Sequence, residues 1–517
     1  MVHRTPIVWH GCLPQRYIFV IMGGLAIFNA YSMRAAMSVA ITEMAQAANS
    51  KGDIVSEGAC QAQMDQDTGK NNSDGGAFLE KAEFDWDEPM QGQVLGALFW
   101  GYVAMNVPSG LMSDRFGGKR LLFFGILICS VSTMLIPLAA RHCGPQCVIA
   151  ARFMEGLGET YSGAQNASRV SAACTGLLAH CAVAASCANQ PPPFGLPAGN
   201  LLGQVVGTAL SGIIISGTGD WASVFYVFGG IGLVWCAAFW LLCYDTPAMH
   251  PRISAAEREY IESAIKATST KRPASIPWFA ILSSMPVWAL IIGQLGHDWA
   301  LFTLGTELPK YMKSVLGYKV TENGLISALP NLATWLCAFF SGWLSDWLIR
   351  TERISIGVHR KLFTTFACFM PGVGMLAAAY VGCDRVVVVT LFCIGMAMMG
   401  PFYCSLKVNA LDIAPNYSGL VMSIVNGLGA VSGIVSPDIV GLLIPDRSLK
   451  QWRDVFWVTF GVCLASSVVY CVFSSAEVQS WNTVGEGGEF LQEVQPAAST
   501  PEKEKKEKNR TREEAKV

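Results

Sequence analysis

Charged residues inside an apolar stretch are the first sign of chemistry in this sequence. Arg152, Glu155 and Glu159 are spaced three and four positions apart, which places all three on one face of an α-helix. A charged side chain inside a membrane helix is costly unless it has a partner, a water path or a function. We therefore expect this face to look into a helix bundle. Either the charges form a structural ion-pair network, or the glutamates take up protons beside an arginine that opposes their protonation.

A second arginine, Arg34, lies in the outer part of the first apolar stretch. If it faces a central cavity, its planar guanidinium can recognise a carboxylate or a phosphate. If it lies at the membrane edge, its long side chain extends so that the charged end reaches the lipid headgroups instead. Tyr102 and Asn426 are candidate polar groups of the same cavity, with hydrogen bonding inside the core as the alternative.

The second half of the chain offers weaker candidates. His297 and Asp298 lie in an apolar stretch, where a histidine could titrate near neutral pH. A lone histidine in such a place is more often a hydrogen-bonded packing residue. Lys407 and Asp412 are explained as well by an ion pair at the membrane edge, so neither is assigned to the site.

Two similar segments close equivalent apolar stretches. Gly110-Leu-Met-Ser-Asp114-Arg115 closes the second stretch, and Gly342-Trp-Leu-Ser-Asp346-Trp347 closes the eighth. The two glycines are separated by the same number of positions as the two aspartates, which indicates a duplicated six-helix unit. Asp114, Arg115 and Asp346 are predicted to act as a conformational latch at these helix ends. The simpler alternative for the first segment is a positively charged anchor.

The composition indicates a membrane protein. Of 517 residues, 52% are hydrophobic and only 14% are charged, and the mean hydropathy is +0.38. About one quarter of an average soluble protein is charged, so a soluble enzyme is disfavoured. No nucleophile–base constellation, metal cluster or phosphate-cradling glycine loop stands out, and we expect no enzymatic activity and no bound cofactor or metal. The formal net charge of −2 gives no sign of a nucleic-acid partner.

Twelve apolar stretches are long enough to cross a membrane, at about 20 residues per helix. They lie near 17–41, 90–112, 120–140, 146–166, 198–217, 222–243, 285–311, 322–345, 361–382, 386–410, 418–443 and 453–475. The prediction is an all-α membrane protein with twelve transmembrane helices in two six-helix halves. Basic residues cluster in the loops after stretches two, six and eight, which places these loops and both termini in the cytosol.

The expected organisation has four parts: a first half at 1–245, a cytosolic linker at 246–280, a second half at 281–476 and a disordered cytosolic tail at 477–517. The polar loop 42–88 then lies outside the cell or in a lumen, where Asn71 begins a glycosylation acceptor pattern. Cys143 and Cys147 share a shorter outside loop. A bridge between them is conceivable, although one helical turn is an awkward separation for a disulfide.

Several motifs together resemble the major facilitator superfamily, and within it the anion transporters that include sialin, the vesicular glutamate transporters and the type I sodium–phosphate cotransporters. Gly110 to Arg120 is similar to the superfamily's loop signature. More specific segments begin at Arg34 (Arg-Ala-Ala-Met-Ser-Val-Ala), Leu98 (Leu-Phe-Trp-Gly-Tyr), Arg152 (Arg-Phe-Met-Glu-Gly-Leu-Gly-Glu) and Leu411 (Leu-Asp-Ile-Ala-Pro). Sialin and the invertebrate proteins named as inorganic phosphate cotransporters look nearest.

The resemblance implies roles for individual residues. Arg34 and Arg152 would attract the substrate anion, Tyr102 would line its cavity, and Glu155 and Glu159 would belong to the proton-coupling network. The site would lie between the halves near mid-membrane and work by alternating access.

Some positions depart from the vesicular glutamate carriers. Leu95 stands where they have a histidine in span two, and His297 lies near the place of their arginine in span seven. Both differences argue against glutamate transport. Ala410 replaces the histidine usual in span ten. Thr160 to Asn200 also departs from the family, either as a loop specific to this lineage or through a frame or exon error in the sequence.

The expected function is therefore secondary active transport of an organic or inorganic anion, of the phosphate, sialic acid or acidic amino acid class, coupled to H⁺ or Na⁺. An anion channel and a transport-dead sensor or scaffold are the alternatives. The expected partners are a small anionic substrate and the lipid bilayer, and the protein is expected to be monomeric. The plasma membrane and a lysosomal or vesicular membrane both remain open as its location.

Overall fold

The computed structural model describes residues 15–46, 83–116, 118–164, 197–244, 253–255, 258–259, 276–445 and 448–483. Helices make up most of these residues. Three expectations lie outside these ranges: glycosylation at Asn71, most of the linker and nearly all of the tail. The part of Thr160 to Asn200 between 165 and 196 lies outside them as well.

The described residues of the first half form six long helices. They are α1 (Gln15–Met44), α2 (Glu88–Phe116), α3 (Gly118–Cys143), α4 (Pro145–Ala164), α5 (Pro197–Thr218) and α6 (Ala222–Leu242). Consecutive long helices run in opposite directions across the bundle, so α1 begins and α2 ends at the same face. We call this the terminal face. The opposite face, where α1 ends and α2 begins, is called the loop face.

The second half repeats this arrangement with more interruptions. It comprises α7 (Trp278–Leu282), α8 (Met285–Ser314), α9 (Val320–Arg350), α10 (Ile356–Tyr380), α11 (Arg385–Ala397), α12 (Leu406–Ile413), α13 (Ser418–Gly429), α14 (Val431–Leu443) and α15 (Leu449–Phe473), with 3₁₀ turns at Gly400–Phe402 and Ser480–Thr483. The segments α11–α12 and α13–α14 each cross the bundle once. In the part of the chain that the structure describes, the two halves therefore supply twelve spanning segments, as predicted.

Within the described ranges, eight segments are long and apolar enough to cross a membrane by length and composition: α3, α5, α6, α9, α10, α11–α12, α13–α14 and α15. The other four long helices, α1, α2, α4 and α8, each carry ionisable side chains enclosed by the bundle, among them Arg34, Glu88, Arg152 and His297. Hydropathy thus identifies these four helices least well, although buried charge is not confined to them, since Arg360 in α10 is buried too.

The structure adds two features to the predicted elements. The tenth stretch is not one helix, because α11 ends at Ala397 and the chain passes through the 3₁₀ turn before α12. Pro401 lacks an N–H group and so cannot continue an α-helical hydrogen-bond ladder. In addition, Ala45–Gln46 and Phe84–Asp85 form a parallel pair of two-residue strands at the loop face.

The two halves pack closely at the loop face. A Cβ atom on Gly212 of α5 would lie 2.8 Å from the carbonyl oxygen of Val320 and 2.9 Å from the Cα atom of Gly324 in α9. Only glycine allows two helix backbones to approach this closely. A Cβ atom on Gly92 of α2 would similarly meet the carbonyl oxygen of Pro437 in α14, at 2.6 Å.

Ion pairs reinforce this closure. Lys310 of α8 lies 3.2 Å from a carboxylate oxygen of Glu88 in α2 and 3.0 Å from one of Glu307 in its own helix. All three side chains are almost fully buried. Lys313 pairs with Glu43 of α1 at 2.7 Å in a more exposed position. The described structure is therefore closed between the halves at the loop face.

Of the described cysteines, one is disulfide-bonded, and it is not one of the two that the sequence analysis considered. Cys143 and Cys147 are both free thiols, so the bridge considered between them is not formed. Cys383, in the loop between α10 and α11 at the loop face, is disulfide-bonded. The other described cysteines are free.

Candidate substrate cavity

A cavity of about 110 Å³ lies between the two halves. Helices α1, α2, α4 and α5 line one side, and α8, α9, α12 and α13 line the other, together with the 3₁₀ turn that contains Phe402. A single water molecule needs roughly 10–15 Å³ of such space. The cavity is therefore large enough for several water molecules or a small ligand.

Arg34 lies inside this cavity and does not extend to the lipid headgroups. Its Nη1 atom donates a hydrogen bond to Glu159 Oε1 of α4 at 2.8 Å. The guanidinium carbon lies 4.5 Å from the ring centre of Phe99 and 5.0 Å from that of Phe302. Phe302 belongs to the second half, so Arg34 contacts both halves through cation–π geometry. The two aromatic rings thus pack against the guanidinium, which also donates a hydrogen bond to a carboxylate.

Arg152 forms the second ion pair of the site. Its Nη1 atom lies 3.0 Å from Glu155 Oε2, one helical turn away, and both side chains are 2% exposed. The Nε atom of Arg152 is buried without a hydrogen-bond partner. The predicted three-charge face of α4 is thus confirmed to turn inward. It contains both the ion pairs of the structural interpretation and the carboxylates that the functional one requires.

Close packing of α2 against α4 positions these charges. The carbonyl oxygens of Phe153 and Leu98 lie so near Gly101 and Gly156, respectively, that no Cβ atom fits at either glycine. Thr160 donates a hydrogen bond to the carbonyl oxygen of Tyr102 at 3.2 Å. The Tyr102 side chain is thereby held at the cavity wall, where it was predicted.

The second half contributes a hydrogen-bonded group from α8. Asp298 lies 3.1 Å from Nδ1 of His297 and accepts a hydrogen bond from Gln294 Nε2 at 2.7 Å. The imidazole stacks on Phe402 with ring centres 3.6 Å apart. His297 is therefore both packed and placed at the cavity, and Gln294 is a cavity residue that the sequence analysis missed.

The membrane-edge pairing of Lys407 with Asp412 is wrong. Asp412 accepts a hydrogen bond from Arg360 Nε of α10 at 2.7 Å. Lys407 instead lines the cavity and donates to Oδ1 of Asn426 at 2.6 Å. The two residues are five positions apart on a short helix, which turns them toward different neighbours. Asn426 lies at the cavity as predicted, as an acceptor for a lysine.

Four buried atoms of described cavity-lining residues have no hydrogen-bond partner: Arg152 Nε, Gln294 Oε1, His297 Nε2 and Asn331 Oδ1. Leaving such a group unsatisfied costs about 1–3 kcal/mol. All but Arg152 Nε belong to the second half of the cavity. Their positions favour a polar occupant, either water or a ligand.

The charges at the cavity balance. Among the described residues that line it or pair with its lining, the cations are Arg34, Arg152 and Lys407, and the carboxylates are Glu155, Glu159 and Asp298. With a neutral His297 their formal charges sum to zero. An anion that enters alone would therefore leave uncompensated negative charge in a largely enclosed space, which is unfavourable.

The predicted latch is only partly described. Asp346 is exposed at the terminal-face end of α9. Asp114 and Arg115 lie near the end of α2, and their side chains are outside the described part of the chain. Of the two substituted family positions, Leu95 lines the cavity and Ala410 is buried. Within the described ranges no group of three His, Cys, Asp or Glu residues could hold a metal ion.

Comparison with known proteins agrees with this architecture. The chain is 35% identical over 482 residues to a Drosophila melanogaster protein named "Putative inorganic phosphate cotransporter", which covers 91% of this chain and 87% of that protein. It is 33% identical over 478 residues to human sialin, covering 91% of each. It is 32% identical over 483 residues to human vesicular glutamate transporter 2, covering 91% of this chain and 75% of that protein.

Solved structures show the same fold at much lower identity. A bacterial homologue of the human lysosomal transporter Spinster, in an inward-facing and occupied conformation, aligns with a TM-score of 0.58 at 13% identity, covering 89% of this chain and 97% of that one. The xylose transporter of E. coli in an inward-open conformation aligns with a TM-score of 0.58 at 11% identity, covering 89% and 96%. The family model for the Major Facilitator Superfamily matches residues 19–173 and 195–437. This multi-pass membrane protein belongs to the major facilitator superfamily.

Proposed function

We propose that the protein is a secondary active transporter of a small organic or inorganic anion. The observation that carries this proposal is the cavity between the halves, which holds three cationic side chains around space for a small ligand. The relatives named for phosphate, sialic acid and glutamate transport support the same substrate class. Arg34 and Arg152, with Tyr102 and Asn426, are the proposed substrate-binding residues from the sequence analysis.

The proposed mechanism is alternating access. The halves meet at the loop face through backbone contacts of glycines and through Lys310 and Lys313. Opening that face requires these contacts to break, while the halves close at the terminal face. In the proposed cycle, the bound anion screens the cations of both halves and lets them approach each other. Asp114, Arg115 and Asp346 are proposed to form the latch of the opposite state.

Charge balance supports a coupling ion. Because the empty cavity is formally neutral, each negative charge that enters is best accompanied by one positive charge. We propose a proton, taken up by Glu159 or Glu155. Protonation of Glu159 would release Arg34 from its 2.8 Å ion pair and leave the guanidinium to the anion. Sodium is the alternative coupling ion, and the same neutrality argument applies to it.

The proposed orientation follows the positive-inside rule. The terminal face, where α1 begins and α15 ends, would be cytosolic, and the loop face would lie outside the cell or in a lumen. The described conformation would then be closed to the outside or lumen. A monomer suffices for this mechanism, because one chain supplies both halves of the cavity.

The proposal is tested by uptake into proteoliposomes. Purified protein is reconstituted and offered labelled phosphate, sialic acid and glutamate, with pH and sodium gradients imposed separately. Saturable uptake that is stimulated by the same anion on the opposite side would support a carrier. Large conductance without saturation would indicate a channel, and binding without flux would indicate a sensor. Uptake driven only by sodium would replace the proton in the mechanism.

A further inference from the structure

The cationic groups at the cavity differ in their partners. Arg34 and Arg152 each pair with a carboxylate, at 2.8 and 3.0 Å. His297 lies 3.1 Å from Asp298. Lys407 instead hydrogen-bonds a neutral amide, Asn426 Oδ1, at 2.6 Å.

The remaining surroundings of Lys407 are aromatic and polar. Its Nζ atom lies 5.3 Å from the ring centre of Phe402. An ammonium group carries three N–H donors, and the bond to Asn426 uses one. The side chain is only partly buried and borders the cavity. Its direct contacts are therefore a neutral acceptor and a ring face, and two donors remain for a ligand. The Asp298 carboxylate also acts on its charge through space.

We infer that Lys407 is the anion-contacting cation of the second half and determines how strongly an oxyanion is held. This inference rests on the proposed transport function. The anion accepts from the N–H groups of the ammonium that the bond to Asn426 leaves unused, and its other oxygens meet the edge of Arg34 from the first half. An oxyanion with acceptor oxygens on opposite sides, such as a phosphate or a dicarboxylate, suits this bridging position.

The orphaned polar atoms support this assignment. Gln294 Oε1, His297 Nε2 and Asn331 Oδ1 are buried in residues that line the same side of the cavity as Lys407. With Nδ1–H donating to Asp298, the Nε2 atom of the neutral imidazole is an acceptor. Like the amide oxygens of Gln294 and Asn331, it can accept from a hydroxyl group of a protonated phosphate. A ligand held at Lys407 would thus meet these three polar atoms, none of which has a hydrogen-bond partner in the structure.

The alternative is a purely structural role, in which Lys407 only holds α12 against α13 through Asn426. The two roles make opposite predictions for Asn426→Asp. A carboxylate placed 2.6 Å from the ammonium would strengthen a structural contact, because charge-assisted hydrogen bonds are the stronger ones. The same carboxylate would occupy and neutralise the cation that the anion needs.

The experiment measures KM and kcat for phosphate uptake by proteoliposomes containing wild type, Lys407→Gln, Lys407→Arg, Asn426→Asp and the control Lys119→Gln. Lys119 donates to the carbonyl oxygen of Trp240 at the terminal-face end of α3, outside the cavity. We expect Lys407→Gln and Asn426→Asp to raise KM about tenfold or more, the size of one lost charged hydrogen bond. Lys407→Arg should restore most of the affinity, and Lys119→Gln should match wild type.

Phosphate-dependent thermal stabilisation of the purified variants in detergent provides a second measurement, which is independent of flux. It should be lost in parallel with affinity, while size-exclusion profiles stay those of a folded monodisperse protein. A wild-type KM in Asn426→Asp or Lys407→Gln would overturn the role of Lys407 alone. If wild type neither transports nor is stabilised by any anion of the panel, the proposed function and this inference both fall.

Discussion

At the scale of single residues, ionisable groups within apolar sequence were the most informative signal. The face of α4 that carries Arg152, Glu155 and Glu159 was predicted to look into the bundle, and it does. For Arg34 the sequence also left a membrane-edge position open, and the structure places it at the cavity. Their pairings were not predictable, because a partner on another helix is set by packing that the sequence does not display. Lys407 shows the limit, since Asp412 is its neighbour in sequence while Asn426 is its partner in space.

Removing Arg152 alone should damage both stability and transport. Arg152→Ala would leave Glu155 buried without its 3.0 Å partner, and breaking one side of a buried pair costs about 3–5 kcal/mol. We expect membrane insertion to continue, uptake to be abolished and thermal stability in detergent to fall. Uptake assays and fluorescence-detected size-exclusion chromatography after heating measure the two effects.

The double variant Arg152→Gln/Glu155→Gln separates the structural from the functional interpretation. It replaces the buried charges by two neutral amides that can hydrogen-bond to each other, so much of the stability should return. Uptake should remain absent, because the cation and the carboxylate have both been removed. Recovery of near wild-type uptake together with stability would show that the pair is only structural.

At the scale of helices, sequence predicted where each span lies but not how the spans deviate from regular helix. The ends of α8, α9 and α10 were misplaced by three to five residues at one or both ends, because polar residues near the membrane edge continue a helix as well as they end it. The break between α11 and α12 was also missed. Pro401 alone does not reveal it, since prolines also occur inside α2, α8 and α9 without ending those helices.

The contact of α5 with α9 offers a matched pair of glycine substitutions. Gly212→Ala would place a Cβ atom 2.8 Å from the Val320 carbonyl oxygen, whereas a Cβ atom on Gly217 of the same helix would meet no other atom within 4 Å. We expect Gly212→Ala to prevent the close approach of the halves and lower the uptake rate at least several-fold. Gly217→Ala should transport like wild type, since alanine favours the helix. Equal rates would show that the closed loop face is not part of the cycle.

The buried ion pairs of Lys310 should control the opening of the loop face. Lys310→Met removes the link to Glu88 across the halves, which should shift the population toward a conformation open at that face. Lys313→Met is the matched control, because its pair with Glu43 is more exposed and such pairs contribute only about 0.2–1 kcal/mol. Ser38→Cys, at the cavity wall of α1, reports the change as faster labelling by an impermeant thiol reagent added from the loop face. An unchanged labelling rate in Lys310→Met would show that the ion pairs of Lys310 do not hold the loop face closed.

At the scale of the whole molecule, hydropathy and the repeated Gly–Asp segments were sufficient to predict twelve helices in two halves. The conformation was not predictable, because in the proposed alternating-access cycle one sequence would stabilise two states and its motifs would belong to both. Closure at the loop face became visible only through contacts between the halves, such as Gly212 with Gly324 and Lys310 with Glu88.

The charge balance of the cavity leads to a prediction about the electrical behaviour of the carrier. Three cations and three carboxylates make the empty cavity formally neutral, and a monovalent anion accompanied by one proton keeps it neutral. Neither the loaded nor the empty carrier then moves net charge, so the membrane potential, which does work of about 2.3 kcal/mol per charge at 100 mV, should not affect uptake. Potassium-diffusion potentials imposed with valinomycin on proteoliposomes test this with a monovalent substrate.

Glu159→Gln should change this behaviour in a defined direction. The substitution removes one negative charge and one proton acceptor, so the loaded carrier remains neutral without a proton while the empty carrier becomes positive. Net uptake should lose its dependence on the pH gradient and gain a dependence on membrane potential, because the charged empty carrier must return across the membrane. Exchange of internal for external anion, which never requires the empty carrier to return, should continue in this variant and remain insensitive to potential. Two results would place the coupling site elsewhere than at the Arg34–Glu159 pair. One is uptake of a monovalent anion by the wild type that already depends on membrane potential. The other is uptake by Glu159→Gln that still depends on the pH gradient.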